Sequence, residues 1–120
     1  MSDNTVTWFE VATDDPDGAE RFYGGLFGWT FARDEGPMDY RLITGADGGA
    51  PAGGLYNSEG GFPPHAVFHV QVADVEKTCA QVESLGGEVQ RMVIDDGAGT
   101  DFAYLRDPAG SLFGIFHRRG

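Results

Sequence analysis

Apolar and polar positions along the chain follow two different periods. Thr5–Val11 is a β-branched and aromatic run in which Thr7, Phe9 and Val11 share one face and Val6, Trp8 and Glu10 the other, as in a strand. The period then lengthens. Asp14-Asp15-Pro16 opens a helix with Asp15 as N-cap and Pro16 at the first helical position. Ala19, Phe22, Tyr23, Leu26 and Phe27 follow at helical spacing, and Gly28 closes the element. Three strands are predicted next, at Trp29–Arg33, Tyr40–Thr44 and about Gly53–Tyr56. Gly-Pro and Gly-Gly turns punctuate them, and Gly48-Gly49 and Gly53-Gly54 read as turns or a mobile flap.

The second half repeats this plan. Ala66–Val72 is a strand with Phe68, Val70 and Val72 on one face. Asp74 caps a helix whose stripe is Val75, Thr78, Cys79, Val82 and Leu85, ended by Gly86-Gly87. Strands follow at Glu88–Ile94, about Thr100–Leu105 and Leu112–His117, with an Asp107-Pro108-Ala109-Gly110 turn before the last. At a constant offset of 59, Phe9 matches Phe68, Val11 Val70, Asp15 Asp74, Leu26 Leu85 and Gly28 Gly87. Such agreement predicts an internal duplication, βαβββ twice. The expected fold is therefore α+β: one domain over residues 1–120, with modules at about 1–60 and 61–120. In each module the apolar face of the leading strand packs on its helix. The other face (Trp8 and Glu10; Val67, His69 and Gln71) is then left to line the concave side of a twisted sheet, a trough for a ligand.

Composition narrows the function. Of 120 residues, 41% are apolar and 12% aromatic, enough for a packed core and too many for a disordered chain. The net charge of −11 argues against nucleic acid and against an anionic membrane as partners. It suits solubility, or a cationic small molecule. The single cysteine, Cys79, excludes an internal disulfide, and without a Cys-x-x-Cys pair a zinc ribbon is excluded as well. Met1-Ser2-Asp3-Asn4 lacks the basic and apolar regions of a signal peptide, and no apolar run is long enough to span a membrane, so the cytoplasm is the expected compartment. Asp95-Asp96-Gly97-Ala98-Gly99 has neither EF-hand nor P-loop spacing and reads as a loop.

Several spaced motifs carry a family resemblance. Trp8-Phe9-Glu10-Val11, Asp14-Asp15, Arg21-Phe22-Tyr23 and Leu26-Phe27-Gly28-Trp29 resemble the opening of the vicinal oxygen chelate superfamily, also called the glyoxalase/bleomycin resistance protein/dioxygenase superfamily. Val72-Ala73-Asp74-Val75, Leu85-Gly86-Gly87 and Asp107-Pro108-Ala109-Gly110 agree in the second half. The resemblance implies a glyoxalase-like paired half-barrel and a homodimer. It also implies, in metal-dependent members, four His or Glu ligands, one on each of four trough-facing strands. Laid onto this chain, those slots fall on Trp8, Val67 and Gly114, and by the repeat offset near Leu55. None of these side chains binds a divalent cation.

Two residues beyond Trp8 and Val67 lie Glu10 and His69, repeat-equivalent and on the same face. They are the candidate catalytic pair, for acid/base work or for hydrogen-bonding a ligand. A shifted metal site would draw on them, with Glu59, His65 or Gln71 nearby. Trp8, Leu55, Val67, Tyr104, Gly114 and Phe116 are the candidate ligand-binding residues, and Tyr40, Tyr56 and Phe102 could stack on a flat ligand. His117 alternates with Phe116 and points towards the helix. No cofactor is called for. The resulting expectation is a protein that binds a small organic molecule without the four-ligand metal, sequestering a drug or natural product. The alternative is a glyoxalase-type lyase, isomerase or dioxygenase that uses Glu10 and His69 with or without nickel, zinc or iron.

Overall fold

The computed structural model describes residues 3–34, 39–61, 63–97 and 99–119. Met1-Ser2, the Gly36-Pro37 turn and Ala98 of the glycine-rich loop lie outside the described residues. In chain order the elements are β1 (Thr5–Thr13), α1 (Pro16–Phe27), β2 (Thr30–Arg33), β3 (Tyr40–Thr44), β4 (Gly53–Asn57), β5 (His65–Gln71), α2 (Val75–Ser84), β6 (Glu88–Val93), β7 (Thr100–Arg106) and β8 (Leu112–Arg118). This is the duplicated βαβββ plan that the hydrophobic pattern predicts. Neither helix is long and apolar enough to cross a membrane.

The chain divides into two compact units. One is Trp8–Ala66; the other runs from Val67 onward and takes in the described residues before Trp8. In the first unit the strand order is β2-β3-β4-β1, with β1 and β4 parallel and the other pairs antiparallel. In the second it is β5-β8-β7-β6, with β5 and β8 parallel and the other pairs antiparallel. The two units thus share one topology, strand for strand.

Both helices start as the sequence dictates. The Asp15 carboxylate accepts from Gly18 N–H at 3.1 Å, and Asp74 accepts from Lys77 N–H at 3.0 Å. Each satisfies a donor that the first helical turn leaves without a partner. Gly28 ends α1 in the left-handed region, where its N–H donates to Gly24 O.

Burial of one sheet face holds each unit together. Under α1 the core is Val11, Ile43 and Leu55, with Phe9, Ala19, Tyr23, Trp29 and Phe31 packed against it. Trp29 packs beneath the helix, its ring 5.5 Å from Tyr23 and 5.6 Å from Phe9. In the second unit Val72, Val75, Cys79, Ala103, Leu105 and Ile115 form the core.

The helical stripes are only partly buried. Phe22 and Leu26 are exposed, although the spacing places them on the apolar face. Buried Arg41 on β3 reaches α1 at acidic residues instead. It donates to Glu20 at 2.5 Å and to Asp17 at 2.8 Å on α1, and to Asp39 at 3.3 Å. Ala19 and Tyr23 pack against the sheet, while Phe22 and Leu26 turn outward and Asp17 stays largely exposed. A buried guanidinium needs such partners to offset its lost hydration. In the second unit Leu85 lies past the last helical turn and is exposed too.

Candidate functional site

Strand alternation gives each sheet a second face, turned away from its helix. In the first unit Phe9 and Val11 pack under α1, so Trp8 and Glu10 of β1 point the other way. The register carries this face across the sheet: Glu10 pairs with Gly54, Gly54 with Leu42, and Tyr56 with Tyr40. In the second unit Val70 and Val72 belong to the core, so Val67 and His69 take the opposite face. His69 pairs with Gly114, Gly114 with Tyr104, and Phe116 with Phe102. Each candidate catalytic residue therefore stands beside a glycine of the parallel neighbour strand in its own sheet.

Those glycines have a steric purpose. A β-carbon at Gly54 would overlap the Tyr40 hydroxyl and ring, and one at Gly114 would overlap the His69 imidazole. Gly53 makes the same kind of room for the Phe9 ring. Gly53-Gly54 is therefore part of β4 and not a turn or flap: its missing side chains are filled by aromatic rings from the neighbouring strands.

In the first unit Trp8 and Tyr40 are joined by a hydrogen bond beside Glu10. Trp8 Nε1–H donates to Tyr40 Oη at 3.0 Å. The Glu10 carboxylate lies close enough for its charge to act on the Tyr40 phenol. An indole N–H can only donate, so the Tyr40 hydroxyl oxygen is the acceptor in this bond. Burial, and after it the Glu10 charge, pushes the Tyr40 phenol well above the ordinary tyrosine range; the bond from Trp8 opposes this. Tyr40 is thus a neutral phenol at any physiological pH. The Tyr56 ring lies 6.4 Å from that of Tyr40. Glu10 itself is only 5% exposed.

In the second unit His69, also 5% exposed, is held by rings. Tyr104 meets it edge to face at 5.7 Å, and Phe116 is tilted at 6.5 Å. Trp8, Val67, Tyr104, Gly114 and Phe116 thus occupy the faces that strand alternation assigns them. Leu55 does not. It is 0% exposed and lies under α1 with Val11 and Ile43. The reason is the register: Glu10 pairs with Gly54 and His69 with Gly114, so β4 and β8 are related by an offset of 60 and not 59. Leu55 therefore corresponds to Ile115, itself a core residue.

The four inherited ligand slots do not fit a metal. Trp8, Val67 and Gly114 offer no ligand atom, and on β4 the residue of the right face is Gly54, which offers none either. Among the described residues no three His, Cys, Asp or Glu side chains are grouped so that they could hold an ion.

Two shallow clefts open elsewhere, on the helix sides. One, of about 430 Å³, is lined by Thr13, Asp15, Phe22 and His65 among others. The other, of about 320 Å³ at the start of α2, is lined by Asp74, Glu76, Asp101, His117 and Arg119 among others. In the latter Arg119 is paired to Asp101 at 2.9 Å, and His117 Nδ1–H donates to Val72 O at 3.1 Å, pointing towards the helix as its alternation predicts. The backbone N–H of Asp95, ahead of Arg119, holds the Asp101 carboxyl below its ordinary range. These charges serve the turn and the strand end. The face that carries Trp8, Glu10 and Tyr40 is the stronger candidate.

Sequence reasoning underrated Tyr40, which it took only as a stacking surface. Nothing in the local pattern marks its hydroxyl, because its partner Trp8 lies 32 positions away in the chain. Arg41 was missed for the same reason.

Comparison with known proteins bears on the family and the fold. The family described as Glyoxalase/Bleomycin resistance protein/Dioxygenase superfamily matches residues 5–115, and the chain belongs to that superfamily. It is 32% identical over 114 residues to a Mycobacterium tuberculosis protein provisionally named glyoxylase CFP32, covering 92% of this chain and 43% of that one. It is 28% identical over 127 residues to the anthracycline biosynthesis protein DnrV of Streptomyces peucetius, covering 92% and 46%. The chain spans less than half the length of these relatives. Its fold is similar to that of a Streptomyces coelicolor methylmalonyl-CoA epimerase variant in complex with 2-nitronate-propionyl-CoA, with TM-score 0.68 at 18% identity over 99% of this chain and 100% of that one. Methylmalonyl-CoA epimerase from Mycobacterium tuberculosis gives TM-score 0.67 at 15% identity, over 98% and 90%.

Proposed function

We propose that the chain binds a small organic molecule on the sheet faces turned away from the helices and sequesters it, without the four-ligand metal of its metal-dependent relatives. The observation that carries this reading is the Trp8–Tyr40–Glu10 set: an ionisable acceptor framed by aromatic rings. Aromatic rings supply contact area for a flat ligand, and the carboxylate fixes its orientation. A net charge of −11 favours a cationic ligand. A relative named for anthracycline biosynthesis supports a natural product as the ligand class. Homodimerisation, which the family resemblance implies, belongs to the same proposal.

A second reading makes the chain an enzyme, a lyase, isomerase or dioxygenase in which Glu10 and His69 move protons. The relative named as a glyoxylase favours it. Thermal unfolding against a panel of cationic aromatic compounds tests the first reading. A ligand at a hundredfold excess over its Kd adds about 2.7 kcal/mol of stability. Glu10→Gln is expected to weaken that ligand about tenfold, since a hydrogen bond to a charged group contributes about 1.5–3 kcal/mol. A panel without a single stabilising compound contradicts binding. Turnover that is lost in both Glu10→Gln and His69→Ala would establish the enzyme instead.

A further inference from the structure

We propose that Asp47-Gly48, in the turn between β3 and β4, is the site at which this chain isomerises to isoaspartate, and that the fold protects the other two Asp-Gly pairs. The inference is independent of the binding reading above.

The chemistry comes from the sequence. Asp-Gly occurs three times, at Asp17-Gly18, Asp47-Gly48 and Asp96-Gly97. In such a pair the glycine nitrogen can attack Cγ of the aspartate. The N–Cγ bond forms, the carboxyl hydroxyl leaves with the amide proton as water, and a five-membered imide closes. Water then opens either carbonyl. Opening at Cγ restores aspartate. Opening at the main-chain carbonyl leaves the backbone running through Cβ and Cγ, with the former main-chain carbon as a free carboxylate. One water is lost and one is regained, and nothing is oxidised or reduced. Glycine favours closure, because it has no side chain to shield the nitrogen and adopts unusual backbone angles readily.

The structure decides among the three pairs. The step needs an aspartate carboxyl free to move and a Cα–C bond free to turn until the nitrogen faces Cγ. Asp17 meets neither need. It lies in α1, which holds that bond at the helical value, and its carboxylate accepts from Arg41 at 2.8 Å. Gly18 N–H donates to Asp15 at 3.1 Å. Asp96 is tied on both sides. Its carboxylate accepts from Thr100 N–H at 3.1 Å, and its own N–H donates to Thr100 O at 3.0 Å. Gly97 N–H donates to the Asp95 carboxylate at 3.2 Å. Asn57-Ser58 could close the same ring with loss of ammonia, and it is held too: Asn57 donates to Asp39 at 3.1 Å and accepts from Glu59 N–H at 2.9 Å.

Asp47 differs. Among the described residues no hydrogen bond or ion pair holds its carboxylate. The turn is exposed from Ala46 to Ala50. The bond that must open is Gly48 N–H to Gly45 O at 3.0 Å, at the surface, where local opening costs least. Gly48 and Gly49 have φ of +78° and +86°, and a β-carbon at either would meet no atom within 4 Å. No packed neighbour therefore blocks the rotation that brings the nitrogen to Cγ.

The test ages the full native chain at neutral pH, digests it and separates aspartyl from isoaspartyl peptides. Transfer of a labelled methyl group from S-adenosylmethionine by an isoaspartate-specific methyltransferase is the second readout. The Asp47 peptide is expected to carry about tenfold more isoaspartate than the Asp17 or the Asp96 peptide, since the hydrogen bonds that hold those two carboxylates must break first. Asp47→Glu, which would need a six-membered ring, should remove most of the methyl acceptance. The same chain aged in urea should form isoaspartate at all three pairs at similar rates. An even spread in the native chain, an excess at Asp17 or Asp96, or methyl acceptance that survives Asp47→Glu overturns the proposal. So does an Asp47 excess that persists in urea, which would assign the preference to local sequence. A native chain that forms none while the unfolded chain does overturns it as well.

Discussion

Leu55→Ala is expected to destabilise the protein by about 2–5 kcal/mol, the range for deleting a buried leucine side chain. Leu55 is fully buried and packs with Val11 and Ile43 under α1. Truncation removes its transfer free energy and leaves a cavity whose walls are already ordered on two strands and a helix. Urea unfolding reads the effect as a lower midpoint with the slope unchanged. The repeat offset of 59 would instead put Leu55 among the ligand-facing residues, where alanine would weaken binding and leave stability nearly intact. A large loss of stability separates the two placements.

Gly114→Val is the second large effect. Gly114 is not among the residues with positive φ, so the backbone itself accepts any side chain. The cost comes from the His69 imidazole, which occupies the volume where the new Cβ would sit. Overpacking of this kind costs about 1–3 kcal/mol. His69→Ala in the same chain should relieve most of it, because the two sites share one contact and are expected to couple strongly. A cost that persists in the double variant would mean that something other than the imidazole fills the space beside Gly114.

The periodicity of the sequence was sufficient for the architecture. Asp15 and Asp74 cap their helices, and each strand lies within a residue or two of where alternation places it. Such features are local: a cap is three residues wide and a strand has a period of two. The placement of Glu10 and His69 opposite the helices was legible for the same reason. What the chain did not disclose depends on pairing. Leu55 changes face because β4 and β8 carry a one-residue difference in spacing, and alternation turns a one-residue difference into the opposite side of the sheet. The bonds of Arg41 to Asp17 and Glu20 join a strand to a helix across 24 and 21 positions. Gly54 reads as a turn residue until the Tyr40 ring that fills its place is known.

One measurement bears most directly on the ligand face. Titration of the isotope-labelled protein with benzylamine, followed by amide and indole shifts, locates binding residue by residue. The account predicts that the Trp8 indole and the Gly54 amide move first, with the helix residues Ala19 and Cys79 unaffected. Shifts confined to α1, α2 and the clefts beside them would contradict it.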